Sequence, residues 1–392
     1  MARDEVVVRF ADGAELREFL SFELSEKFSN PLDSFSFQAA PSERNRKSYL
    51  DRLLKGELIT ITLNGLPQAA MMIQEVTTTI SPDGGLTLDV SAVSPIQILM
   101  ESTVDVPTAS KALKAAVPMI DMILQVVEPY GFNLVADESD VDVAKVKSGK
   151  TVSTKPTKHK GAKKKDATAE YNESVFGFIT RMLSRAGMML RCGTTSDGTF
   201  LYITAPHYDG QPLYAVKQAR SGYGPIADRF IGEVTIVDSN ESQFSFCEVV
   251  GESADDTAAT RSNKPKARVT TDAINAQRPP FRASGPFPYK PKFHKDKECG
   301  DAVNTEAVAK FILGTRAEKA FAVQGTVGGF TSRNGTPWTV DTLCPVFVEA
   351  TGLDEIMWIS ERSMKRNAEG DTTKLTFIPK GYLQLGDVPS EA

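Results

Sequence analysis

Residues 170–206, EYNESVFGFITRMLSRAGMMLRCGTTSDGTFLYITAP, set two different hydrophobic periods side by side, and that change of period constrains the fold most. Val175, Phe178, Ile179, Met182, Leu183 and Ala186 recur at the three-and-four spacing of one helical face. Asn172 is placed to cap this helix, since its side chain can accept a bond from an early, otherwise unpaired amide. Gly187 can take the left-handed conformation that closes it. Met188–Arg191 and Phe200–Thr204 then read as strands, joined by a polar loop carrying the turn signal Asp197-Gly198. The spacing predicts a helix, a glycine stop and a β-hairpin, a piece of an α+β core.

A second unit of the same kind precedes it. Ala109–Val127 carries Leu113, Ala116, Val117, Ile120, Ile123, Leu124 and Val127 at helical spacing, with Pro118 kinking it or opening a second short helix. Tyr130-Gly131-Phe132 stops the helix, and Asn133–Ala136 reads as a strand. Between the units, Lys145–Lys165 is rich in lysine and nearly devoid of large apolar groups. It cannot bury enough surface to offset its ordering entropy, so a disordered insertion is expected. Contact with an anionic partner is the alternative for this insertion. Ser148-Gly149-Lys150-Thr151 is not the end of a phosphate-binding loop, because Ala144 stands where the first glycine belongs and no apolar strand leads into it.

Both flanks read as β structure. Val6–Phe10, Phe19–Lys27, Ser34–Ala39, Leu58–Leu63, Ala70–Ile80 and Leu86–Val93 alternate as strands, with turns at Asp12-Gly13, Asn64-Gly65 and the 82–85 stretch PDGG. Glu233–Val237, Ser242–Val250 and the chain from Phe321 onward do the same, with Asn334-Gly335 turning towards Trp338. Between these lies a polar, loop-rich stretch, 252–300, in which prolines 279, 280, 286, 288 and 291 prevent regular structure, and a helical pattern over 304–320. Gly65–Val93 can be laid against Gly352–Lys380, each with Gly-Leu, a strand containing Met and Ile, a glycine turn and an alternating strand. The expected fold class is α+β and β-rich: a multidomain chain with two similar small β-barrels and intervening α+β domains. The domains expected are a first barrel at 1–105 and an α+β domain at 106–220 with the insertion 145–165. A second barrel takes 221–251 and 321–385, and a loop-rich and helical segment occupies 252–320.

A chain of 392 residues, 41% hydrophobic and 24% charged, is long enough for several cores and has the composition of a soluble protein. A net charge of −5 argues against a large phosphate-gripping surface. No apolar run reaches the roughly 18–20 residues of a membrane span, and the charged start MARDEVVVRF lacks the apolar core of an export signal. Cys192, Cys247, Cys299 and Cys344 are scattered, as expected of free thiols, with a disulfide as the other reading. His159, His207 and His294 form no i, i+4 metal pair, and no serine-nucleophile elbow occurs. Asp255-Asp256 and Asp354-Glu355 are adjacent acids that read as solvated charge, with cation binding or glycosidic chemistry as the alternative. No catalytic, cofactor or metal site is predicted. Trp338 and Trp358 sit on strands beside turns. Packing in a core or barrel rim is one reading, and an assembly interface is the other, because tryptophan is enriched at hot spots.

The order of these pieces resembles the baseplate hub proteins of contractile phage tails, the Mu-type hubs, and more distantly the hub part of type VI secretion spikes. The resemblance is carried by S-V-F-G-F-I-T-R-M-L-S-R-A-G with the strand and G-T-F-L-Y-I that follow, and by residues 58–104 with Asn64-Gly65 and Ser94 to Ser102. It continues through the 109–136 unit and through 304–383 with N-G-T-P-W and G-D-T-T-K-L-T-F-I-P. The Lys-rich insertion and the proline-rich 275–295 stretch depart from it. The resemblance implies a non-enzymatic homotrimeric ring in the virion's tail baseplate, assembled in the host cytoplasm. Such a ring would dock on the tail tube protein above and the central spike protein below, beside baseplate wedge proteins. The tape-measure protein and DNA would pass through its bore. A hub of a tailocin or secretion-type injection machine, a tail-associated cell-wall hydrolase and a glycan-binding β-protein are the rival readings.

Overall fold

The computed structural model describes residues 4–82, 85–104, 119–135, 172–185, 188–195, 198–221, 227–239, 244–251, 266–270, 289–296, 305–306, 308–310, 312–313 and 320–381. The expectations for Pro118, Lys145–Lys165, Gly187, Asp197, Asp255-Asp256, His159, Cys299 and prolines 279–288 fall outside these residues.

The first strands are β1 (Val6–Phe10), β2 (Glu15–Leu16), β3 (Ser21–Lys27) and β4 (Asn30–Ala39). After helix α1 (Glu43–Arg52) come β5 (Leu58–Leu63), β6 (Leu66–Ile80) and β7 (Leu86–Val93). Their order in the sheet is β3-β4-β7-β6-β5-β1-β2. Asn64 at φ 51° and Gly65 at φ 80° make the left-handed pair that turns β5 into β6. Helix α1 was not expected. Its sequence ERNRKSYLDR buries only Tyr49, so it carries almost no apolar periodicity to read.

The middle of the chain holds α2 (Gln97–Glu101), α3 (Met119–Val127), β8 (Asn133–Val135), α4 (Val175–Arg185), β9 (Met189–Thr195) and β10 (Gly198–Thr204). Gly131, at φ 74°, turns the chain from α3 towards β8. Strand β10 lies between β8, parallel to it, and β9, antiparallel. Ile123, Val127, Phe178, Ile179, Leu183 and Leu201 pack in one core, so the predicted helical stripe does face the hairpin. The cap differs from expectation. Ser174 Oγ accepts the Gly177 N–H at 3.0 Å, whereas Asn172 stands outside the helix at φ 65°.

The remaining strands are β11 (Val216–Gln218), β12 (Asp228–Asp238), β13 (Phe246–Gly251), β14 (Lys266–Thr270), β15 (Pro291–Asp296), β16 (Phe321–Gly328), β17 (Leu343–Val348), β18 (Leu353–Asn367) and β19 (Gly370–Pro379). Strands β14-β13-β15 form a small separate sheet. Pro291 does not prevent β15; it opens it, at a position where a missing N–H is tolerated. Strands β17-β11-β12-β16-β19-β18 close into a six-stranded barrel through the additional β17–β18 pairing. Gly325 is required inside it, because a Cβ there would lie 2.4 Å from the Phe230 ring.

The two β regions share one plan. The run β3-β4-β7-β6-β5 corresponds, in chain order and in its antiparallel pairings, to β12-β16-β19-β18-β17, whereas the next strand differs: β1 runs antiparallel to β5 and β11 parallel to β17. The long strands β6 and β18 are 15 residues each, and each carries one extra, bulged residue, Gln74 and Ser360. Only the second set closes on itself among the described residues. In the first, β3 turns its edge to β18 instead, and the two sets become one continuous sheet. Among the described residues no helix is long and apolar enough to cross a membrane.

Candidate functional site

The joint between the two β sets is built on buried charge. Arg362 on β18 and Glu26 on β3 are cross-strand partners, and Arg362 Nε donates to Glu26 Oε2 at 2.8 Å. The same guanidinium donates to Gln68 Oε1 at 3.1 Å and to the Trp338 carbonyl. Arg191, reaching in from β9, donates to Glu26 Oε1 at 3.0 Å and to the Phe28 carbonyl at 2.7 Å. Glu26 thus joins the middle of the chain to both β sets. Asp33 completes the cluster 3.8 Å from Arg191. Burial first, then the Glu26 charge, push the Asp33 carboxyl up to about 8, against the pull of Arg191 and Arg362. A second tie lies along the same seam. Arg366 makes two 2.7 Å bonds to the Asp371 carboxylate and donates to the Asp4 carbonyl, while Asp4 Oδ2 accepts the Phe330 N–H at 2.9 Å.

Across this seam the sheet keeps one polar face. Successive strands contribute Thr326, Lys374, Ser363, Ser25 and Ser34 in one row. The next row is Thr372, Lys365, Glu23, Ser36, Ser91 and Glu75. Ser25 and Ser363 hydroxyls meet at 3.2 Å over the joint itself. The opposite face carries Phe22, Leu24, Phe35, Phe37, Met364, Leu375 and Phe377, all buried. This is the alternation of an antiparallel sheet with one face on a core and one face open, continued over eight strands from β12 to β6. The face is mostly hydroxyl and amide, and its acids Glu23, Glu75, Asp89 and Glu361 are interspersed with Lys365 and Lys374. The sequence showed each strand's alternation; that the polar sides line up across the seam followed only from the β18–β3 register.

Both tryptophans are fully buried within the chain. Trp338 packs against Tyr214 in a tilted pair with centroids 4.6 Å apart. Trp358 meets Phe28 and Tyr208 edge-on, and its Nε1 donates to Asp341 Oδ1 at 2.9 Å. Neither indole is presented as a contact surface on this chain. Asp354 and Glu355 are consecutive residues of β18, where neighbouring side chains point to opposite faces, so they do not form a facing pair of carboxylates. His207 bonds Asp341 through Nδ1 at 2.5 Å, and His294 lies on β15. Cys192, Cys247 and Cys344 are free thiols. Burial raises Cys192 to about 12 and Cys247 to about 11, and raises Cys344 further, so none is a reactive thiolate at neutral pH. No group of metal-ligating side chains occurs among the described residues.

No protein-family model matches the sequence, and no curated protein matches it. Solved structures do match in fold. The chain superposes on a tail protein from Neisseria meningitidis MC58 with a TM-score of 0.69, at 17% identity over 98% of each chain. It superposes on the 43 kDa tail protein of prophage MuSo2 from Shewanella oneidensis with a TM-score of 0.68, at 15% identity over 97% of this chain and 99% of the other. A Francisella PdpA–VgrG complex gives 0.52, at 11% identity over 100% of this chain and 60% of that one. At such identities the likeness is one of fold, and that fold runs the whole length of both tail proteins.

Proposed function

We propose that this chain is the structural hub of a contractile-tail baseplate, a homotrimeric ring rather than an enzyme. The observation that carries the reading is the repeated five-strand plan: two similar β sets joined edge to edge into one sheet with an unbroken polar face. Three copies around an axis offer six similar β units, which suits a part that joins a sixfold tube to a threefold spike. The polar face would line the bore. Small hydroxyls with interspersed acids and lysines give a wall without a dominant positive field, over which DNA and a tape-measure protein can pass without being held. The partners in this reading are the tail tube protein, the central spike protein, baseplate wedge proteins and the tape-measure protein. The place of action is the virion tail, after assembly in the host cytoplasm. The fold shared with two phage tail proteins over their full length supports it.

The likeness to the PdpA–VgrG complex favours a second reading of the same class, the hub of a tailocin or secretion-type machine. A tail tube and tape-measure gene beside this one, without capsid genes, would select it. The mass of the purified protein in solution, alone and with the spike protein encoded nearby, tests both. A particle of about three chains that survives dilution supports a ring. A strict monomer in both conditions would remove it, and wall-degrading and glycan-binding assays would then come first.

A further inference from the structure

The small sheet β14-β13-β15 carries a surface that the hub reading does not use. One of its sides joins the main core through Cys247, Val249 and Val269, all buried. Alternation sends the other side outward, and the register fixes its rows. Lys266, Val250 and Lys295 share one row, Arg268, Glu248 and Phe293 the next, and Thr270, Phe246 and Pro291 the third. An aromatic cluster is centred on Phe246, which is itself buried. The Arg268 guanidinium lies 3.7 Å from its ring centroid. Phe293 meets the same ring edge-on at 5.8 Å, and Tyr289 tilts against it at 5.9 Å. Phe293 and Tyr289 remain 63% and 78% exposed. Two neighbouring rings held up by a buried third have apolar area to gain by covering themselves with a flat partner. Cations surround them. Lys290 and Lys292 lie 5.6 and 5.8 Å from the Phe244 ring centroid, beside β13. With Lys266, Arg268 and Lys295 they set five cations against the acids Glu248 and Asp296, in a chain whose net charge is −5. Lysine is depleted where proteins meet proteins, whereas cations interleaved with exposed rings suit a polyanion that has flat faces.

We infer that this sheet binds single-stranded nucleic acid, with bases stacked on Tyr289 and Phe293 and phosphates held by the cations around them. A single strand offers unstacked bases, each with a π-face, beside a charged backbone, and a duplex keeps its bases stacked on one another. Arg268 is placed for both parts of the task. Its guanidinium is held flat enough on Phe246 to stay at the cluster, and its charge faces the side where Phe293 and Tyr289 stand. The continuous sheet differs in kind. Its rows from Thr326 to Ser34 and from Thr372 to Glu75 mix hydroxyls, acids and lysines and hold no aromatic ring. A polyanion can slide over such a face, whereas rings and clustered cations retain it.

Fluorescence anisotropy of the full-length chain with a labelled oligothymidylate of about 12 nucleotides, within the range one small β module covers, tests the inference. Saturable binding at low salt is expected, weakening as salt rises because each neutralised phosphate releases counterions. A duplex of the same length should bind several-fold more weakly. Tyr289→Ala with Phe293→Ala should weaken binding roughly ten- to hundred-fold at fixed salt and leave the salt slope nearly unchanged. Tyr289→Trp with Phe293→Trp, which keeps both stacking faces, should bind at least as tightly as the parent. Lys266→Ala with Lys295→Ala should instead flatten the slope by about 1.4, at roughly 0.7 for each phosphate contact of a single strand. Lys47→Ala with Lys55→Ala, exposed lysines on and after α1, should change neither quantity. Absence of saturable binding overturns the inference, and so does binding that the alanine substitutions of the rings leave intact. Equal affinity for polyglutamate or for an acidic polysaccharide through the same residues would assign the surface to another polyanion and overturn it as well. The particle mass is independent of all these outcomes, so the ring reading is tested separately.

Discussion

Glu26 and Arg362 face each other across the β3–β18 joint, Nε to Oε2 at 2.8 Å, and both are withdrawn from solvent. This pair, with Arg191 on the other carboxylate oxygen, sits where the two β sets become one sheet. A buried ion pair is weak evidence of net stabilisation, since desolvation offsets most of the attraction. Its removal on one side is another matter.

Glu26→Ala leaves two guanidinium groups buried without their shared acceptor. The expected loss is about 3–5 kcal/mol of unfolding free energy, read as a lower denaturant midpoint. Glu26→Gln, which keeps acceptor and shape, should lose less. A loss below 1 kcal/mol for Glu26→Ala would mean that the cluster does not hold the joint.

Asp33 makes stability depend on pH. Its carboxyl is raised from the ordinary 3.8 to about 8 by burial and by Glu26. The folded chain then holds a proton that the unfolded chain releases, so this group's contribution is complete below about pH 4 and fades as pH rises through about 8. Asp33→Asn should flatten the decline in melting temperature across that window. An unchanged slope would place the charge of Asp33 elsewhere.

Gly325→Ala brings a methyl against the Phe230 ring, 2.4 Å from its nearest atoms. A cost of about 1–3 kcal/mol is expected from overpacking. Adding Phe230→Leu should recover part of it, as coupled neighbours do. Simple addition of the two losses would show that the ring moves aside freely.

Trp358→Phe removes the bond to Asp341 and part of the packing with Phe28 and Tyr208. It should lower stability by about 1–3 kcal/mol by leaving the Asp341 acceptor without that donor, and it should leave the particle mass of the folded protein unchanged. A folded variant with a smaller mass would make Trp358 an assembly residue after all.

Local chemistry determined much of this molecule. The stripe from Val175 to Leu183 specified a helix, Asn64-Gly65 a tight hairpin, and the alternation in β6, β7, β18 and β19 the strands, because each signal is complete within a few residues. Even the likeness of residues 65–93 to 352–380 was legible, and the shared bulge and strand order give it a structural basis. Helix α1 was hidden because a nearly all-polar surface helix leaves no period to detect, and Ser174 caps in place of Asn172 because the helix begins at Val175 and both residue types suit a cap. Tertiary structure alone decided the rest. Glu26, Arg191 and Arg362 are far apart in sequence and look like ordinary surface charge until the β3–β18 register buries them together. The polar face has the same origin. Alternation tells which side of a strand is wet, but only strand pairing decides which wet sides adjoin and which edge is left over.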